Sequence, residues 1–172
     1  MEENHKQAQG IWLKLAKKGA GIPSITYDEA VDVALCYGWI DSQKKGLDAD
    51  WWLQKFTPRR PKSIWSKRNR EKIEELMAAD RMQPAGLSAV EEAQANGQWH
   101  AAYDSPKNAA IPEDFQNALD QSPQAKAFYE TLNSRNTYAI LYRIQTAKKA
   151  ETRRKRIRQI IEMLEKKEKL YP

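Results

Sequence analysis

The stretch WIDSQKKGLDADWWLQKFTPRRPKSIWSKRNREK, from Trp39 to Lys72, constrains this chain more than any other. It holds four of the six tryptophans: Trp39, Trp51, Trp52 and Trp65. From Leu53 to Lys72, eight lysines and arginines stand against the single acid Glu71, a net +7 where the whole protein carries +6. Large rings favour burial, and like charges repel unless solvated or paired. A fold for this segment must therefore bury rings and answer charge side by side. A second basic block, Lys148 to Lys169, has ten bases and four acids, so the two blocks leave the remainder of the chain at −7. Basic segments in such a divided molecule can be met by its own acids.

A chain of 172 residues is long enough to bury a stable core without staples. Its 41% hydrophobic and 30% charged residues describe a globular, well-solvated protein. No apolar run approaches the roughly 20 residues of a membrane span. MEENHKQAQGIW lacks the apolar core of a signal peptide. Cys36 is the only cysteine, so no intramolecular disulfide forms. Together these features lead us to expect a cytoplasmic protein.

Taken in order, His5 to Lys18 reads as an amphipathic helix with Ile11, Trp12 and Leu15 on its apolar side. GAGIPS is a loop, and no Gly-Lys-Ser/Thr follows to make it a phosphate loop. Thr26 and Glu29 have capping-box spacing and open a helix through Leu35, which Gly38 ends. Cys36 lies inside that helix, where packing is the expected role. Trp39–Lys45 and Trp51–Thr57 read as a small antiparallel hairpin around GLDAD. Asp48 and Asp50 begin like a calcium loop, but its glycine and closing glutamate are missing. Pro58 and Pro61 keep TPRRPKS extended. Ser63 or Ser66 caps a helix to about Asp80, and Pro84 starts another that stops at Gly97. After Ile111 the chain reads as helices opened by Pro112, Pro123 and Asn133 or Ser134. A separate, last helix carries Ile157, Ile160, Ile161 and Leu164 on one stripe, with its bases mainly toward solvent. The expectation is a mainly α protein: helical, with one small antiparallel β-hairpin and a C-terminal helical module. Residues 1–108 would form the N-terminal region and 109–172 the module, the two packed together.

EAVDVALCYGWIDSQKK, WWLQKFTPRRPKSIWSKRN, RMQPAG and LNSRNTYAILYRIQTAKKAETRRKRI resemble the YdeI/OmpD-associated family, also labelled bacteriocin-protection proteins. The resemblance runs from about Trp12 to Leu164. From Pro112 onward the chain is similar to the small helical module that carries the OmpD-associated name. A proline often stands at the place of Ala150 in such sequences. The resemblance implies association with a porin and protection against bacteriocins or cationic peptides, and it brings no catalytic residues and no cofactor.

The residues themselves show no catalytic constellation. His5 and His100 are the only histidines, neither in metal-ligand spacing, and no nucleophile elbow, zinc or dinucleotide motif is present. Asp41, beside Trp39 and Ser42, is the most interesting polar group; capping backbone N–H groups is its plainer role. His100 with Tyr103 and Asp104 is a second candidate. Trp51, Trp52, Phe56 and Trp65 can stack on bases or fill the core. Arg59, Arg60, Arg68 and Arg70 can grip phosphates or carboxylates, or the chain's own acids. A net charge of +6 argues against direct capture of cationic peptides. The favoured reading is a non-enzymatic binding or adaptor protein whose partner is another protein or an anionic molecule. Candidate binding residues are Trp39, Asp41, Trp51, Arg59, Arg60, Arg68 and Arg70. Weak nucleic-acid binding by residues 51–72 is the second reading and is not favoured. A small enzyme or ligand-binding domain with a pocket near Asp41 is the third.

Overall fold

The computed structural model describes Glu3, residues 9–106 and residues 108–172. They divide into two compact units, Met1–Ala102 and Tyr103–Pro172.

In the N-terminal unit, strand β1 (Ile11–Ala16) precedes helix α1 (Tyr27–Cys36), strands β2 (Trp39–Gly46) and β3 (Trp51–Pro58), and helices α2 (Lys67–Ala78) and α3 (Pro84–Ala95). The strands form one antiparallel sheet in the order β1-β3-β2. The expectation of a mainly α protein with a single hairpin is overturned by this sheet: the chain is a mixed α and β protein. The helix expected over His5–Lys18 is replaced by β1. In IWLKLA the apolar residues alternate, with Ile11, Leu13 and Leu15 turned inward and Trp12 and Lys14 exposed. That is a period of two; Ile11, Trp12 and Leu15 also fit one face of a helix, and pairing with β3 selects the strand. Residues 5–8 of the expected helix lie outside the described residues.

The central strand β3 holds the sheet together. Ile11, Leu13 and Leu15 stand opposite Phe56, Gln54 and Trp52, and Trp39 and Asp41 stand opposite Pro58 and Phe56. Side chains directly opposite share a face, so this row looks toward the helices. There Trp39 and Phe56 join Ala30, Val31, Ala34 and Leu35 of α1, Ile73 and Leu76 of α2, Val90 and Ala93 of α3, and Trp65 and Trp99. Burying a side chain of this size contributes roughly 1.5–3 kcal/mol. Cys36 is part of the same core, and burial pushes its thiol pKa up.

Local chemistry fixes the helix starts. Thr26 Oγ1 accepts from Glu29 N (3.2 Å) while Glu29 Oε2 accepts from Thr26 N (2.7 Å), completing the capping box of α1. Ser66 caps α2 by accepting from Asn69 N. In the hairpin loop Asp48 Oδ1 accepts from the N–H groups of Asp50 and Trp51, so it shapes the turn.

Two glycines let α3 approach the end of α1. Gly38 has φ +72°, and a Cβ there would lie 2.8 Å from the Ala85 carbonyl oxygen. A Cβ on Gly86 would lie 2.2 Å from the Cys36 carbonyl oxygen, a contact that only backbone movement relieves. Gly86→Ala is expected to destabilise the protein by about 1–3 kcal/mol through overpacking. Thermal melts followed by circular dichroism read the loss, and an unchanged midpoint contradicts the close approach.

The C-terminal unit comprises α4 (Glu113–Asp120), α5 (Pro123–Glu130), α6 (Ser134–Gln145) and α7 (Ala150–Glu165). Phe115, Leu119, Tyr129, Ile140, Ile144, Ile157, Ile160 and Leu164 make its core. Buried Asn136 binds the backbone of Tyr171 in both directions: its Nδ2 donates to Tyr171 O (3.1 Å), and its Oδ1 accepts from Tyr171 N (2.9 Å). Two bases of α7 fasten the other helices. Arg153 donates to both carboxylate oxygens of Asp114 (2.6 and 2.8 Å) and to Ile144 O (3.0 Å). Arg156 donates to Arg143 O (2.5 Å), capping the last turn of α6.

The Arg153 hydrogen bonds hold Asp114 below its ordinary pKa of 3.8. A depressed carboxyl pKa contributes stability that is complete above the ordinary value and lost as pH falls through the lowered one. Asp114 is 47% exposed at its side chain, so screening limits the contribution to about 1 kcal/mol or less. Wild type is expected to exceed Asp114→Asn in urea stability at neutral pH, with the gap closing on acidification below 3.8. A gap independent of pH contradicts the linkage.

Candidate functional site

A bulge in β2 decides which side chains leave the sheet on its far side. The register steps from Asp41 opposite Phe56 to Lys44 opposite Gln54, so β2 spends one residue more than β3. The side-chain amide of buried Gln54 donates to Gln43 O (3.1 Å) and Lys55 O (3.2 Å), satisfying backbone left over at the bulge. Ser42 Oγ also donates to Lys55 O (3.3 Å). Beyond the bulge Lys44 lies on the helix side, its Nζ 4.4 Å from the Trp52 ring centre, and Lys45 is opposite Leu53 on the outward side.

The outward rows are Trp12 and Lys14 on β1, Trp51, Leu53, Lys55 and Thr57 on β3, and Ile40 and Lys45 on β2. Trp12 is 44% exposed. Lys14 Nζ lies 4.2 Å from the centre of the Trp51 ring, and Lys55 Nζ lies 5.8 Å from that of Trp12. Both are ammonium–ring contacts. Beside them a cleft of about 530 Å³ is lined by Gln9, Ile40, Lys55, Thr57, Pro58, Arg60 and Ser63. The outward rows of the three strands contain no acid. This surface can attract anions and offers rings for flat contacts.

The other predicted residues have different surroundings. Trp39 is 1% exposed, inside the core. Asp41 faces the helices and its Oδ2 accepts from Tyr27 OH (2.7 Å), on the opposite side of the sheet from the cleft. Burial, then the bond to Asp41, raises the Tyr27 pKa. Arg59 lies 3.5 Å over the Trp65 ring and donates to Ile64 O, while Arg70 lies 5.1 Å over Trp99, whose ring meets Trp65 edge-on at 5.0 Å. The arginines thus bracket a buried tryptophan pair. On the α1 side, Arg68 bonds Asp28 (2.7 Å) and Lys72 bonds Asp32. Both pairs are spaced four residues apart on their helices, so one α1 face meets one α2 face. The structure therefore brings Trp51 and Arg60 toward the outward surface but not Trp39, Asp41, Arg59, Arg68 or Arg70.

Trp12, Lys14 and Lys45 complete that surface and were missed by the sequence reading, while Lys55 lay inside the 51–72 segment of its nucleic-acid reading. The alternation in Ile11-Trp12-Leu13-Lys14-Leu15 was the available signal. Of the remaining candidates, His100 is exposed in the N-terminal unit. In the C-terminal unit Asp104 Oδ2 accepts from Gln145 Nε2 (2.9 Å), and the Tyr103 ring meets that of Tyr142 edge-on. Among the described residues, no three potential metal-binding side chains of His, Cys, Asp or Glu gather.

No curated protein and no solved structure matches the chain. Residues 1–89 match the family described as "Domain of unknown function (DUF8412)", and residues 108–167 match the one described as "Bacteriocin-protection, YdeI or OmpD-Associated". The YdeI/OmpD-associated resemblance is borne out over the second span. With more than half of its length in the first match, the chain belongs to the Domain of unknown function (DUF8412) family and carries at residues 108–167 a bacteriocin-protection, YdeI or OmpD-associated domain.

Proposed function

We propose that the chain is a non-enzymatic binding or adaptor protein that takes an anionic partner on the outward face of its N-terminal sheet. The observation that carries this reading is the pairing of Lys14 with Trp51 and Lys55 with Trp12 on strand rows that contain no acid. Three lysines and two large rings on one side of a small sheet supply electrostatic attraction and contact area together. The placement of Asp41 against Tyr27 gives no support to a reactive carboxylate at the cleft.

The process in which it acts is protection against bacteriocins or a related envelope stress, a reading supported by the description of the family matched at residues 108–167. Its place of action is the cytoplasm. A single buried cysteine suits a reducing compartment, and among the described residues no helix is long and apolar enough to cross a membrane. Protection is indirect, because a protein of net +6 repels cationic peptides at long range. Deleting the gene is expected to raise sensitivity to bacteriocins or cationic peptides, and a plasmid copy should restore resistance. Killing curves that coincide for the deletion and its parent would exclude the stress role.

A further inference from the structure

We infer that the outward face of the N-terminal sheet is a platform for single-stranded nucleic acid. Trp12 and Trp51 stack bases, and Lys14, Lys45 and Lys55 meet phosphates. The inference rests on the anionic-partner reading and names the chemistry of that partner.

Trp12 is opposite Lys55 and Trp51 is opposite Ala16, so the rings stand on neighbouring strands four residues out of step. At about 3.3 Å per residue along a strand and 4.8 Å between strands, this separates them by roughly 14 Å. The rings are too far apart to clamp one base and far enough apart to seat two bases of one strand. Leu53 and Lys14, a cross-strand pair, lie between them.

A lysine over an indole keeps that ring partly covered in the unbound protein. Its flexible stem lets the ammonium swing to a phosphate when a base takes the ring. The ring then exchanges one cation–π contact for a stacked base, and the lysine gains an anion. Every base has a π-face, so such a surface tolerates sequence. A paired duplex keeps its bases stacked on one another and offers this surface phosphates alone.

An acidic peptide is the competing occupant. Carboxylates are best held by bidentate arginines. Of the candidate arginines, Arg59 and Arg70 lie over buried tryptophans and Arg68 bonds Asp28, which leaves Arg60, at the cleft beside the strand rows, on this side. The strand rows instead present lysines and exposed ring surface. That combination favours a phosphate polymer bearing rings.

The test is fluorescence anisotropy with a labelled oligo-dT of about 12 nucleotides, its matched duplex, and poly-glutamate of similar charge. The single strand is expected to bind better than either competitor, with a log–log salt slope of about −2 for three phosphate contacts. Trp12→Ala and Trp51→Ala should each weaken binding about tenfold, and Trp→Phe at the same positions should recover most of the loss. Lys14→Gln with Lys55→Gln should flatten the slope by about 1.4 units. Thermal melts identify any variant that fails to fold, and the lysine pair then carries the test, because it leaves both rings in place. Equal binding of duplex or poly-glutamate, or ring variants that bind as wild type, overturns the nucleic-acid inference while the anionic-partner reading stands. Binding to none of the three overturns both.

Discussion

Gln54 is the polar group on which the N-terminal unit depends. It sits in the middle of the central strand, 4% exposed, between Trp52 and Phe56 on the helix-facing row. A buried amide without partners is costly, and an extra residue in a strand leaves backbone groups without their ladder partners. Each problem answers the other: the Gln54 amide donates to the carbonyls of Gln43 and Lys55 at the bulge. The bulge then reverses the alternation of β2. A strand of unbroken period two would turn Lys45 toward the helices with Asp41. With the extra residue, Lys45 points outward and Lys44 comes to rest over Trp52. One buried side chain thus goes with the choice of which of two adjacent lysines faces outward.

The positive charge is distributed by the same logic of local answers. α1 contributes Asp28 and Asp32, and α2 meets them with Arg68 and Lys72. Arg59 and Arg70 lie over the Trp65–Trp99 pair, where a guanidinium packs as a plane as well as a charge. In the C-terminal unit Arg153 and Arg156 bond the carbonyls at the end of α6. These bases hold elements together. Total charge is therefore a poor guide to where this protein meets an anion, and the placement of a few lysines is a better one.

Much of the helical framework was legible because caps are local. Thr26 with Glu29, Ser66 before Asn69, Pro84, and Pro123 after Ser122 each mark a helix start within four residues. β1 was not legible in this way. Its six residues contain apolar side chains that fit a helical stripe and a strand row alike, and what decides between them is β3, some 40 residues away in sequence. The candidate surface depends on that pairing. Without β1 there is no third strand to carry Trp12 and Lys14, and Lys55 has no ring opposite it. The arginine-rich segment drew attention because it is contiguous in sequence, whereas the surface is assembled from three strands.

Folding removes most large side chains from water, and in the N-terminal unit Trp39, Trp65 and Trp99 follow that rule. Trp12 does not: it remains 44% exposed on the sheet face opposite the helices. Core packing gives no reason for an indole there, since the inward row is already filled by Ile11, Leu13 and Leu15. An isolated exposed apolar residue is ordinary, but here its cross-strand partner is a lysine, and the next ring on the face is covered by another. The repeated arrangement gathers rings and ammonium groups on the face turned away from the helices, where each pair also ties β1 to β3.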